Sequence, residues 1–63
     1  MTTEQKERVL GRVLMGWSVA DALEGLGSAE DLLATTDADA VFRDALAAAQ
    51  TMRVRLLHLL GPG

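Results

Sequence analysis

The sequence contains no cysteine and only one histidine. The chain therefore cannot form a disulfide bond, and a metal site built from cysteine and histidine would lack ligands. A domain of 63 residues also has a small core, and such a core rarely supplies more than roughly 3–5 kcal/mol of net stability. Because neither a disulfide nor a metal is expected to add to this net stability, we expect association with a partner chain to stabilise the fold.

Aromatic residues are also scarce, since Trp17 and Phe42 are the only two. Aliphatic side chains and methionine must therefore fill the interior, and the abundance of alanine and leucine favours helices. Trp17 ends an apolar stripe beside Gly16. We expect it to plug the core between helices.

Long apolar runs are absent as well. The longest covers residues 45–49, far short of the roughly 20 residues that cross a bilayer. The opening stretch, MTTEQKER, is polar and does not have the character of a secretory signal. We therefore expect a soluble, cytoplasmic protein that has no contact with a membrane.

The residue sets that catalysis needs are missing too. The chain has no cysteine nucleophile, no histidine spaced with an acid and a nucleophile, and no glycine-rich phosphate loop. A chain this short also has little material with which to enclose a pocket. We expect no enzymatic activity, no catalytic or metal-binding residues, no cofactor and no small-molecule substrate.

Negative charge is concentrated in the middle of the chain. The net charge is −3 at pH 7. Residues 18–44 hold seven acids against Arg43 alone, a local net charge of −6, whereas residues 1–17 and 45–63 are net positive. Binding to a phosphate backbone draws on clustered lysine and arginine. The middle segment is therefore a poor site for contact with nucleic acid.

Two serine residues and two glycine residues predict a helix-turn-helix over about residues 18–35. Ser18 and Ser28 each stand three residues before an aspartate, the spacing of a capping box at a helix start. Gly25 and Gly27 lie between them and take positive φ at low cost. A helix of about two turns that ends on glycine and restarts on a capping serine changes direction sharply.

Apolar spacing and capping residues also predict helix 1, which precedes the helix-turn-helix, and the end of helix 3. Apolar residues from Val9 to Trp17 recur with i, i+3/i+4 spacing and predict helix 1 over about residues 3–15. Thr2 or Thr3 is expected to cap it. The run Thr35–Thr36–Asp37 is expected to end helix 3.

The last helix is predicted over about residues 38–60, with Thr36 or Asp37 as its cap and Gly61 and Pro62 ending it. Its length, roughly 35 Å, exceeds what a bundle of this size can cover. Its first half is expected to be buried against helices 1 to 3 through Val41, Phe42, Ala45, Leu46 and Ala49.

The second half of this helix is apolar around most of its circumference, with only Arg53, Arg55 and His58 as polar interruptions. Such a helix favours burial on nearly all sides, and no other segment remains to provide it. The sequence therefore predicts a small all-α domain, spanning residues 1–63, that forms a homo-oligomer through its C-terminal helix. The predicted interface residues are Met52, Val54, Leu56, Leu57, Leu59 and Leu60.

Two stretches, SVADALEGLGS (18–28) and DAVFRDALAAAQ (39–50), resemble the amino-terminal helix-turn-helix of bacteriophage small terminase subunits. That family recognises viral DNA for packaging and forms rings through helices that follow the module. The resemblance therefore implies a phage-type DNA-recognition module that oligomerises. The matching positions, all of them packing or turn residues, are Ser18, Val19, Ala22, Gly27, Asp39, Phe42, Ala45 and Leu46.

The sequence leaves two kinds of ligand as alternatives for the predicted helix-turn-helix. Helix 3 carries none of the arginine, lysine, asparagine or glutamine side chains that favour reading of the major groove. If duplex DNA is the ligand, its phosphates must therefore contact Lys6, Arg8 and Arg12 on helix 1. The alternative is that Arg8 forms a local ion pair with Glu4 on the same face of helix 1.

The other ligand is a basic protein surface, which would make the chain an acidic inhibitor or adaptor. The candidate residues for this are acids near the starts of helices 3 and 4, where the helix dipole also favours them as caps. These acids are Glu30, Asp31, Asp37 and Asp39.

Overall fold

The computed structural model describes residues 1–61, which form four α-helices and no strand. The main packed pairs are α1 with α4, α1 with α2, and α3 with α4, so the long last helix is the central element. The predicted all-α fold with a long C-terminal helix is confirmed. The helices are α1 (Thr3–Leu14), α2 (Val19–Ala22), α3 (Ala29–Ala38) and α4 (Ala40–Leu60).

Serine caps begin α2 and α3, as the sequence predicts. Ser28 and Asp31 form a complete capping box, because each side chain accepts a hydrogen bond from the backbone N–H of the other residue. At α2 only half of the predicted box forms: Ser18 Oγ accepts from the N–H of Asp21 at 3.2 Å. α2 is also a single turn of four residues, shorter than the two turns expected.

The predicted end of helix 3 is too early. The Thr35 hydroxyl donates to the carbonyl of Asp31 at 2.7 Å, and the Thr36 hydroxyl donates to the carbonyl of Leu33 at 3.0 Å. Both hydroxyl groups are thereby satisfied inside the helix instead of competing with it. α3 consequently continues to Ala38.

The cap of α4 is Asp39, so the prediction of Thr36 or Asp37 is wrong. Asp39 Oδ1 accepts a hydrogen bond from the N–H of Phe42 at 3.0 Å. Asp39 is the single residue between α3 and α4, and its extended backbone (φ −130°, ψ 97°) turns the chain from one helix into the next.

Glycine marks the remaining breaks between helices. Gly25 has φ of +76°, a conformation that a side chain disfavours, and it lies in the turn that joins α2 to α3. α4 ends before Gly61, as predicted, whereas Pro62 lies outside the described residues.

The core is formed where α1, α2 and α3 meet the first half of α4. Three residues predicted to be buried do not belong to it, and one of them, Ala45, is only half-buried. Val41 is 81% exposed because it precedes Phe42 by one residue and so lies about 100° around the helix from the core face. Trp17 is 42% exposed and covers the Arg12 side chain instead of plugging the core. The buried apolar residues are Val9, Val13, Ala22, Leu23, Leu32, Phe42, Leu46 and Ala49.

Candidate interaction surfaces

α1 runs beside α4 in the same direction, and two contacts mark the length over which they stay together. Near the start of both helices, Lys6 Nζ donates to Asp39 Oδ2 at 2.7 Å. Further along, Arg53 Nε donates to the carbonyl of Gly16 at 3.0 Å. Because Gly16 follows the end of α1, α1 reaches no further along α4 than about Arg53.

α3 packs against the first half of α4. The open hollow between these helices is lined by Leu32, Leu33 and Thr36 from α3 and by α4 residues between Arg43 and Gln50. Residues 54–60 of α4 therefore extend beyond both neighbouring helices by roughly 10 Å.

This protruding helix end presents apolar side chains to solvent. Five of the six residues predicted to form the oligomer interface are exposed, and Leu56 is half-buried. Monomeric proteins rarely leave large contiguous apolar surface uncovered. We call these six residues the apolar end of α4. The exposed fractions are 54% for Met52, 53% for Val54, 46% for Leu57, 84% for Leu59 and 75% for Leu60.

Two of the three basic residues predicted to contact DNA form ion pairs within the chain. Lys6 Nζ lies 2.7 Å from Asp39 Oδ2 and 5.9 Å from the centre of the Phe42 ring. Arg8 Nη2 lies 3.0 Å from Glu4 Oε1, on an exposed face of α1. The local pair weighed for Arg8 from the sequence is thus present, and both charges already have a carboxylate partner.

The third basic residue, Arg12, joins α1 to the end of α2. Its Nη1 donates to the carbonyl of Glu24 at 2.7 Å and to the carbonyl of Ala22 at 3.1 Å. Its guanidinium carbon lies 5.2 Å from the centre of the Trp17 ring, a cation–π contact. Arg12 is thus bound to the protein's own backbone, and the three basic residues do not form a strip of unpaired charge.

Two of the four candidate acids, Asp31 and Asp39, serve as helix-start residues. Hydrogen bonds from the backbone N–H and the hydroxyl of Ser28 hold the pKa of Asp31 below its usual value. Hydrogen bonds from the Lys6 ammonium and then from the N–H of Phe42 lower the pKa of Asp39. Both carboxylates are therefore engaged in the fold.

The other two candidate acids, Glu30 and Asp37, are exposed. Neither of them forms an ion pair with another residue of the described range, and the same holds for the exposed Asp21 and Glu24. We call these four residues the free acids. They carry most of the unpaired negative charge of the described range, and the one other exposed acid without an ion pair or a side-chain hydrogen bond, Glu7, lies apart from them on α1.

Sequence reasoning did not find the roles of Arg12 and Arg53. The acceptors of Arg12 follow it by ten and twelve residues, and the acceptor of Arg53 precedes it by 37. Contacts at such separations depend on the packing of whole helices, so local spacing gives no signal for them.

Residues 1–61 bring no three acidic or histidine side chains close enough together to hold a metal ion. In the same range, no helix combines the length and the apolar character needed to cross a membrane.

No family model, curated protein sequence or solved structure matches the chain. The resemblance to small terminase subunits stays a prediction from the sequence.

Proposed function

We propose that this protein is a non-catalytic interaction module that self-associates through the apolar end of α4 and binds other proteins through its free acids. The observation that carries the proposal is the exposure of Leu59 and Leu60, at 84% and 75%, on a helix end that extends beyond α1 and α3. Full burial of a leucine side chain contributes about 1.5–3 kcal/mol. Burial of several such side chains between copies would offset the loss of motional freedom on association.

Sedimentation of paired variants tests the self-association. Leu59→Gln combined with Leu60→Gln should lower the average mass in solution, because glutamine gains little from burial and does not oppose the helix dipole. The control is Leu33→Gln, which alters a 65% exposed leucine on α3 and should leave the mass unchanged. Equal masses for the wild type and the double variant would contradict the proposal.

The free acids support a protein partner with positive charge. Carboxylates without internal partners attract a basic surface, and they repel a phosphate backbone. An oligolysine peptide is a suitable probe. Glu30→Lys should weaken its binding more than Glu7→Lys, which changes the net charge equally but lies on α1. An equal effect of the two substitutions would mean that net charge alone attracts the peptide, and would count against a binding role of the free acids.

A DNA-recognition module of the small terminase type is the second candidate function. It is supported by the α2–turn–α3 segment, whose two helices begin at capping serines as in the predicted helix-turn-helix. This function requires affinity for duplex DNA that falls as salt rises and falls again in Arg8→Ala. Arg8 is the suitable position because Arg12→Ala would also disturb the fold. The protein-interaction proposal predicts no binding of duplex DNA even at low salt.

A further inference from the structure

α4 carries a second apolar stripe, distinct from the face that it turns to the core. The stripe runs the length of the helix with spacings of three and four residues and lies within an arc of roughly 80°. Val41 and Leu59, at its two ends, are more than 80% exposed. Two members, Ala45 and Leu56, are half-buried. We call this set the α4 stripe: Val41, Ala45, Ala48, Met52, Leu56 and Leu59.

The length and spacing of the α4 stripe fit another helix of similar length. Steps of three and four residues, here in the order four, three, four, four and three, are the spacing by which two helices pack along a shared seam. A short loop or a single side chain would cover only part of a surface that includes both Val41 and Leu59. A second α4 supplies the same length and the same spacing.

The sizes of the residues in the stripe favour an antiparallel arrangement of the two helices. Val41 and Leu59 lie equally far from position 50, and so do Ala48 and Met52. An antiparallel copy centred there would place Val41 opposite Leu59 and the small Ala48 opposite the large Met52. It would also lay each protruding helix end over the exposed face of the first half of its partner's α4.

The charges beside the α4 stripe favour the same direction. Asp44 and Arg55 are both exposed and border the stripe on the same side. In an antiparallel pair of helices, like sides face each other, so Asp44 of each copy would meet Arg55 of the other. In a parallel pair, one side faces the opposite side of the partner, and these two charges would not meet. Asp44 contacts only Arg43, at 3.6 Å, among the ion pairs of the described range.

We propose that a second copy of this chain docks antiparallel along the α4 stripe, with Val41 against Leu59 and Asp44 against Arg55 in two symmetric sets. This inference rests on the proposed self-association and adds to it the direction, the register and the first half of α4. The first half of the partner's α4 then covers the members of the apolar end of α4 that belong to the stripe: Met52, Leu56 and Leu59.

Disulfide cross-linking tests the arrangement directly, because the chain has no cysteine of its own. Val41→Cys and Leu59→Cys variants are mixed and oxidised. The antiparallel pair predicts the mixed disulfide between the two variants. Each variant alone should not link to itself, because the two copies of either position would lie roughly 27 Å apart, beyond the roughly 7 Å limit for Cα atoms in a disulfide.

The possible results separate the two proposals. Self-linking of Leu59→Cys in place of the mixed product would overturn the antiparallel arrangement while leaving self-association intact. A dimeric mass without the mixed disulfide would also overturn it. A wild-type chain that is monomeric in solution would contradict both this inference and the proposed function.

A charge exchange supplies a second test that leaves the apolar residues in place. Asp44→Lys and Arg55→Glu should each raise the dissociation constant of the dimer several-fold, and the two substitutions together should restore it. Glu7→Lys is the matched control, because it makes the same change of charge at an exposed site on α1. A double variant no tighter than the weaker single variant would overturn the pairing of these two positions.

Discussion

Arg12 has the widest set of contacts among the charged residues of α1. It donates to two backbone carbonyls at the end of α2 and lies against the Trp17 ring. A lysine in its place keeps the charge but loses the flat guanidinium that stacks on the ring and holds its N–H groups in fixed directions.

Arg12→Lys should therefore lower the free energy of unfolding by up to roughly 1.5–3 kcal/mol, the range for hydrogen bonds that involve a charged group. Denaturant unfolding at matched chain concentration measures this. Arg8→Lys is the control, since its exposed pair with Glu4 should contribute about 0.2–1 kcal/mol. A larger loss at Arg8 than at Arg12 would contradict the role assigned to Arg12.

Asp39 links the stability of the fold to pH. Its pKa in the folded chain is lowered from the ordinary value of 3.8, so the unfolded chain binds a proton more readily than the folded chain does. The stabilisation that Asp39 contributes is therefore complete above this ordinary value and is lost as the pH falls through the lower, folded-state pKa.

Asp39→Asn should consequently lower the melting temperature at neutral pH and flatten the loss of stability on acidification. Thermal melting between neutral and strongly acidic pH measures both effects. Asp37→Asn, two residues away and exposed, should change neither. An Asp39→Asn variant whose stability falls with pH as steeply as that of the wild type would refute this coupling.

Single residues were predictable from the sequence where their partners are close in the chain. The capping box joins Ser28 and Asp31, which are three positions apart, so the spacing alone predicts it. The end of helix 3 was predicted too early, and the reason is also local. Threonine hydroxyls can either compete with a helix or bond within it, and the sequence does not distinguish these outcomes at Thr35 and Thr36.

At the scale of helices, the first half of α4 holds the domain together. Leu46 is only 6% exposed, on the helix that packs against both α1 and α3. Leu46→Ala should lower the free energy of unfolding by about 2–5 kcal/mol, which is comparable to the whole stability of a domain this small.

Leu33→Ala is the comparison at this scale, because Leu33 is 65% exposed and should change stability by no more than roughly 0.5 kcal/mol. Circular dichroism during denaturation measures both variants. Similar losses at the two leucines would mean that the core does not lie where α4 meets α1 and α3.

The sequence predicted the number and order of the helices more reliably than their packed faces. Capping residues and glycine breaks are local, so they locate helix starts and turns. The exposure of Val41 depends on which sides of α4 the other helices occupy, and that follows only from the arrangement of the whole bundle. The same dependence explains why Trp17 ends an apolar stripe yet lies over Arg12 at the surface.

For the whole molecule, the large apolar surface relative to the short chain is the main reason to expect self-association. The chain has too few residues to cover a helix of 21 residues along its full length. The sequence predicted the apolar end of α4 as an interface, and the structure places most of its side chains in solvent. Association with another copy stays a prediction, and it would make the melting temperature depend on chain concentration.

Self-association is measured by the mass of the wild-type chain in solution, followed over a dilution series by sedimentation equilibrium. We expect a species of at least twice the 6.7 kDa chain mass, which dissociates on dilution with loss of helical structure. A stable, folded species of one chain mass at every concentration would contradict self-association.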